Sequence, residues 1–373
     1  MILPKRNLQK NYIEEKRKEI PVNHSGIDLH KDNCFMVTTD DAGLIKGQGR
    51  IPTEKEEVIK YFKNIPGEHR AVVESTSSWY WLNDLLSEAG IELQLAHSKY
   101  LKAISYAKVK TDKVDANTLS KLLRMDFIPQ AHKISEERRA QRDHIRRRLS
   151  FVEKRTSCYN SIHRIGEKFN CDKEINIERA KIPEDLPEEN KMHLKFLFQQ
   201  VELINLQIYE IEKSLQSKLM PDVDMRKLLA VPGIGPITAY SLYLEIDGID
   251  RFESVKNFFS YCRLVPGAKN SNRTKKQKSG CKDGNRYLKV AFTDAGVHAV
   301  RYSPEIKSFY NRQLRKHNKP IARTLVAKEL AKVVFYILKK KEEYKGFKGK
   351  PNINPKKQYW PRLASPIALS GTS

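Results

Sequence analysis

No two cysteines in this sequence are close enough to form a CxxC pair; Cys34, Cys158, Cys171, Cys262 and Cys281 are scattered along 373 residues. That pattern excludes a zinc-finger-type site and a disulfide framework, and it leaves thiols expected to stay reduced. Long apolar runs are missing as well. Nothing approaches the ~20 apolar residues of a membrane span, and the opening MILPKRNLQKNYIEEKRKEI lacks the apolar core of a signal peptide. A cytoplasmic protein without a membrane partner is expected. Acidic residues are in short supply, with 45 Asp+Glu against 69 Lys+Arg and a formal charge of +24. Such an excess favours a polyanionic partner, of which nucleic acid is the commonest. The length suits two or three domains rather than one small binding module.

What is present begins with strands. After a basic tail over 1–23, the runs SGIDLH, CFMVTTD and LIKGQGRI read as three strands of an antiparallel meander, broken by polar or Gly-containing turns. TEKEEVIKYFKNI follows as a helix with Thr53 as its expected N-cap. HRAVVE then reads as a buried strand, SSWYWLNDLLSEAG as an apolar helix ended by Gly90, and IELQLAH as a further strand. Three strands, then helix, strand, helix, strand and helix, over 24–134, is the element order of the ribonuclease-H-like fold. That much is analogy from order.

From 135 to 219 the texture is helical and charged. Ile145, Leu149, Val152, Thr156 and Tyr159 are spaced alternately four and three, as are Leu194, Leu197, Val201, Ile204, Ile208, Ile211 and Leu215. Each set makes one apolar seam, so a coiled-coil hairpin arm is expected, whose seam could instead pair with a second copy of the chain. Residues 220–341 read as a compact, mostly helical region, and 342–373 as a flexible basic tail.

Four carboxylates stand out. Asp28 lies inside the first strand between Ile27 and Leu29, and Glu74 ends the strand AVVE; both positions are costly for a charge without compensation. Asp112 and Asp115, in KTDKVDANTL, are three apart at the start of a helix and therefore share a face. Singly, each has an ordinary reading as a turn former, a cap or a helix-dipole partner. Together, with no accompanying His or Cys set, they suit a hard Mg2+ or Mn2+ ion, and two such ions can clamp the attacking and leaving oxygens of a phosphodiester.

Two features of the second half bear on nucleic acid. Pro232-Gly233-Ile234-Gly235-Pro236 between helical stretches fits a helix-hairpin-helix contact to a phosphate, or an ordinary tight connection. Residues 263–286 carry eight Lys/Arg and one acidic residue around Ser271 and Ser279. Such a segment can hold backbone phosphates, and a serine in it can attack one if a base or metal activates it.

These stretches resemble one family across nearly the whole chain: the RuvC-like, DEDD-type insertion-sequence transposases (the IS-one-ten family), related to the Piv-type DNA invertases. The resemblance is carried, in order, by GIDLHKD, AVVESTSSWYWL, KTDKVDANTLSKLL, LLAVPGIGPITA, YCRLVPGAKNSNRTKKQKSG and DGNRYLKVAF. It implies an α/β RuvC-like catalytic domain over 24–134, the arm, and a helical transposase domain over 220–341. It further implies that Asp28, Glu74, Asp112 and Asp115 are the family's acidic tetrad. The family's nucleophilic serine precedes a GN(R/A)xL(K/R) segment at a fixed interval, which counts back from Gly284 to Ser271 and not to Ser279. Where relatives more often have Gly soon after that serine, this chain has Asn272-Arg273.

The implied chemistry is cleavage and rejoining of DNA strands of a mobile element through a phosphoserine intermediate. Donor and target DNA would be the partners, an element-encoded bridge RNA would read sequence by pairing, and a homodimer or higher oligomer would form at synapsis, in the nucleoid of a prokaryotic cell. Nucleic-acid contacts are expected at Gly233, Gly235, Arg273, Lys275, Lys276, Lys278 and Arg286. Two other readings remain open: a RuvC-like endonuclease that cuts branched DNA with water, and a nonenzymatic nucleic-acid scaffold.

Overall fold

The structure, a computed structural model, describes residues 21–76, 78–104, 111–219, 222–266 and 283–347. The chain divides into two compact units, Met1–Lys133 and Ile134–Ser373. The first is mixed α/β. Strands β1 (Val22–Leu29), β2 (Asn33–Thr39) and β3 (Ile45–Pro52) pair antiparallel, while β4 (Glu68–Glu74) and β5 (Glu92–Ala96) run parallel to β1. The sheet order is β3-β2-β1-β4-β5. Parallel neighbours need crossovers, supplied by helices α1 (Lys55–Lys63) and α2 (Trp79–Glu88). The polar tip of the meander turns where Gly43 takes a φ of 86°.

Alternation decides what each sheet face buries. Ile27, Leu29, Ala71, Val73, Leu93 and Leu95 pack with Val58 and Phe62 of α1 and Leu82 and Leu86 of α2. The intervening Val72 packs on the other face with Leu101 of α3 (Ser98–Ile104) and Leu119, Leu122 and Leu123 of α4 (Asp112–Arg124). The expected Thr53 cap is not formed. Helix α1 starts one residue later, with Glu54 at the N-cap and no side-chain cap bond, because the Thr53 hydroxyl donates to the His30 carbonyl at 3.1 Å instead. A tertiary contact has taken the group that local chemistry would have used.

Helix α4 lies unusually close to β1. A Cβ on Gly26 would fall on the Ala116 carbonyl and the Ser120 amide of α4. The buried Ser120 hydroxyl donates to the His24 carbonyl at 2.8 Å and lies 2.9 Å from the Thr39 hydroxyl, which ties the helix to two strands. Gly26→Ala is therefore expected to destabilise the protein by about 1–3 kcal/mol, as overpacking does. The measurement is a urea titration read at its midpoint; an unchanged midpoint would mean that α4 has room to move.

The second unit is helical. Helices α5 (Glu136–Lys168) and α6 (Glu188–Leu219) pack along each other. The α6 seam is buried at Leu194, Val201, Ile204, Ile208, Ile211 and Leu215. On α5 the seam differs from the expected one. Thr156 is exposed, its hydroxyl donating to the Val152 carbonyl at 2.9 Å, while Cys158 and Ile162 are buried. A straight helix of 3.6 residues per turn drifts away from a strict 3.5 repeat, and the seam follows the apolar side chains available.

Ile145 of α5 and Ile211 and Leu215 of α6 join the core of the remaining helices: α7 (Val223–Leu229), α8 (Pro236–Ile246), α9 (Val255–Tyr261), α10 (Arg286–Tyr302), α11 (Pro304–Leu314) and α12 (Lys319–Lys340). The arm therefore shares one apolar cluster with the region that follows it. Among the described residues no helix is long and apolar enough to cross a membrane.

Three arginines of α5, one turn apart, hold the C-terminal end of α8. Arg138 Nη1 donates to Asp247 at 3.1 Å, Arg142 Nε to Glu245 at 3.1 Å, and Arg146 to both Glu245 oxygens at 2.6 and 2.8 Å. Glu245 is 1% exposed. It also accepts from Asn285 Nδ2 at 2.7 Å, and Asn285 Oδ1 in turn caps α10 by accepting from the Tyr287 and Leu288 amides. Cations at a helix C-terminus complement its dipole. Part of the basic excess is thus spent inside the fold.

Candidate metal centre

Asp28 follows Gly26 by two residues, so it projects from the same sheet face, toward α4. Glu74 stands in the same relation to Val72. Ile27 and Val73 are paired across β1 and β4, which brings the two carboxylates side by side at neighbouring strand ends. Helix α4 delivers the other pair. Thr111 is its N-cap, accepting from the Val114 amide at 3.3 Å. Asp112 is consequently not the cap, and the ordinary reading of it as one does not hold. Asp112 and Asp115, three apart in the first turn, face the sheet edge together.

All four carboxylates line one cavity of about 310 Å³, with Leu29, His30, Val73, Thr76 and Thr111 completing its wall. Asp28 is half-buried, and its pKa is raised above the ordinary carboxylate value. Burial is the main cause; the charge of His30 and a hydrogen bond to it oppose the rise, and the negative charges of Asp112 and Asp115 add to it. Clustered, partly desolvated carboxylates of this kind are stabilised by a cation placed among them.

Ligand atoms of Asp28, His30 and Asp112 all lie within 4.8 Å of one another. Glu74 and Asp115 are not in that trio. His30 is the residue that sequence reasoning passed over, having counted only oxygen donors. The turn after β1, closed by the His30 amide on the Asn33 carbonyl at 3.1 Å, folds the imidazole back to 3.1 Å from Asp28 and 3.7 Å from Asp112. Its only sequence signal was its position, two residues after Asp28. Arg50 was missed as well. Sheet register aligns Asp28 with Phe35 and Phe35 with Arg50, so Arg50 shares the Asp28 face, and its Nη2 donates to Asp112 at 2.8 Å. The donor set fits a divalent cation that accepts carboxylate oxygens, with room for one imidazole nitrogen.

In the second unit, Gly233 has a φ of 86°, and a Cβ there would strike the Ala295 carbonyl and the Ala299 amide of α10. Close helix packing accounts for that glycine. Gly235 is the N-cap of α8, with nothing within 4 Å of its added Cβ. Arg286 begins α10, exposed, 3.5 Å from Glu153. Ser271, Ser279, Arg273, Lys275, Lys276 and Lys278 lie outside the described residues.

A mixed sheet whose strand ends and flanking helix present acidic groups to one cavity offers a site for a divalent cation on an α/β domain. Residues 25–166 match a family of DEDD-type transposases, and residues 225–311 match the "Transposase IS116/IS110/IS902 family". The transposase for insertion sequence element IS1328 of Yersinia enterocolitica is 23% identical over 325 residues, covering 84% of this chain and 95% of that one. A "Probable family 20 transposase" of Pseudomonas aeruginosa is 23% identical over 268 residues, covering 68% of this chain and 77% of its own. The chain belongs to the DEDD-type transposases of the IS110 family. It is accordingly a DNA-processing enzyme.

Proposed function

We propose that the protein is a site-specific recombinase that cleaves and rejoins the strands of its own mobile element, with Asp28, Glu74, Asp112 and Asp115 holding Mg2+ or Mn2+ in a ribonuclease-H-like domain. The observation that carries this reading is the convergence of the four carboxylates on a single cavity. A bound divalent ion would polarise the scissile phosphate and offset developing charge on its oxygens. The chain's own residues do the rest. The acidic pair on α4 and the strand carboxylates would hold that ion, with the His30 imidazole and the Arg50 guanidinium beside them.

Ser271 is the proposed nucleophile. Its oxygen forms a bond to phosphorus as the bond to the leaving strand end breaks; its proton goes to a base, and the leaving oxygen takes one up. The basic residues Arg273, Lys275, Lys276, Lys278 and Arg286 then hold flanking phosphates, with Gly235 as a backbone contact in a helix-hairpin-helix arrangement and Gly233 setting the turn. Donor and target DNA are the substrates, and an RNA from the element supplies sequence choice by pairing. A homodimer through the arm is supported by a second apolar stripe on α6. Met192, Phe196, Leu203 and Leu206 are 46%, 50%, 56% and 44% exposed at coiled-coil spacing.

The test is covalent trapping on nicked element-end DNA. Wild-type protein is expected to form a protein–DNA adduct, and Ser271→Ala to form none. Cleavage retained by Ser271→Ala but lost in Asp28→Asn would replace the serine pathway with hydrolysis by water.

A further inference from the structure

Helix α11 is amphipathic in a way that the acidic site does not use. Ile306 and Phe309 are buried in the core, and the opposite face carries Lys307, Ser308, Asn311, Arg312 and Arg315, which with Pro304 line a shallow concavity of about 430 Å³. Over 301–319 there are six Lys/Arg and one acidic residue, Glu305, which is half-buried. The internal arginines of α5 are spoken for by Asp247 and Glu245, whereas here Arg312 stands over the Phe309 ring at 5.8 Å and its neighbours are freer. Among the described residues Lys307, Arg315 and Lys316 enter no ion pair. Lys307, Asn311 and Arg315 recur every fourth residue, so they form a row along one face with steps of about 6 Å.

At the end of α10, one residue before the N-cap Ser303 of this helix, stands Tyr302, 75% exposed. Its ring is parallel to that of His298, one turn back on α10, at 3° between planes and 6.5 Å between centroids. A tyrosine left this open gains nothing for the core. An exposed aromatic ring two residues ahead of a helix that carries unpaired cations offers what a single strand of nucleic acid uses, with bases stacking and phosphates pairing.

We propose that the exposed face of α11, with Tyr302, is a binding surface for a single-stranded stretch of nucleic acid. Lys307, Arg312 and Arg315 hold successive phosphates, Asn311 and Ser308 offer hydrogen bonds between them, and one unpaired base lies on Tyr302. The same chemistry serves an RNA or a DNA strand opened from its duplex.

The experiment measures binding of the full-length protein to a 12-nucleotide oligouridylate, an oligothymidylate, an abasic strand and a duplex of the same length, across a salt series. Lys307→Gln, Arg312→Gln and Arg315→Gln together are expected to make the slope of log affinity against log salt shallower by about 2 for single strands, at about 0.7 per phosphate contact. Tyr302→Ala is expected to weaken strands with bases about five- to hundredfold and to leave the abasic strand unchanged. A control that removes the same charge elsewhere, Lys55→Gln, Lys60→Gln and Lys63→Gln on the exposed face of α1, should keep the wild-type slope. An effect confined to oligouridylate assigns the surface to RNA, one confined to oligothymidylate to DNA, and an equal effect on both to the shared backbone; each supports the surface. Equal slope changes in the control, a loss on the duplex as large as on single strands, or Tyr302→Ala acting on the abasic strand would overturn it. These outcomes do not depend on Ser271 or on the carboxylates.

Discussion

Asn in place of Asp28 is expected to slow divalent-ion-dependent strand cleavage by orders of magnitude while leaving the protein at least as stable when no ion is added. Asp28 is half-buried on the sheet and close to Asp112 and Asp115, whose charges add to the rise in its pKa. Losing one charged ligand removes several kcal/mol of charge stabilisation at the phosphate, and about 1.4 kcal/mol is a factor of ten in rate. A fall of roughly 10²–10⁴ follows.

The stability arm has the opposite sign. The folded-state pKa of Asp28 is raised, so the folded state binds more protons than the unfolded chain between the two pKa values. Folding is favoured as pH drops into that window, and above it the ionised group opposes folding. Removing the charge at neutral pH therefore relieves burial and repulsion, as often happens when a functional residue is replaced. Added Mg2+ or Mn2+ should raise the melting temperature of the wild type through ligand linkage and leave Asp28→Asn unmoved. Equal stabilisation of both proteins by the ion would remove Asp28 from the metal centre, whatever the activity showed.

The second large effect is structural. Glu245→Ala would leave Arg142 and Arg146 in the protein without their shared carboxylate, and the Asn285 amide without its acceptor. The two arginine side chains are only 14% and 26% exposed, so water can solvate them poorly. Breaking a buried pair from one side typically costs about 3–5 kcal/mol, far more than the net worth of the pair, because an uncompensated charge stays behind. For a unit of this size that corresponds to a melting-temperature drop of about 6–20 °C. Glu245→Gln, which keeps an acceptor for Asn285, should lose less. A drop of under two degrees for Glu245→Ala would show that the arginines find other partners at little cost.

How the basic residues divide between core and surface could not be read from the sequence. Arg138, Arg142 and Arg146 look like the solvated face of a charged helix, yet they are consumed by α8, whose carboxylates arrive from a hundred residues away. Arg312 and Arg315 on α11 look no different and are exposed. Charge composition could not separate them, since an ion pair depends on which elements pack together. Gly233 is a similar case. Its backbone angle was readable as a turn, whereas the reason for glycine there is the close passage of α10.

Local pattern alone set the order of the five strands and of helices α1, α2 and α4 in the first unit, though not the short α3, along with the apolar seam of α6, and it singled out the four acidic positions. These rest on periodicity and on the rarity of a charge inside an apolar strand, both of which act between near neighbours. Only the tertiary structure decided that the four carboxylates share one cavity with His30 and that Arg50 reaches Asp112, because that depends on the sheet register and on how closely α4 approaches Gly26. Register and helix approach are set by long-range packing, and contacts between residues far apart in the chain leave no periodic trace in it.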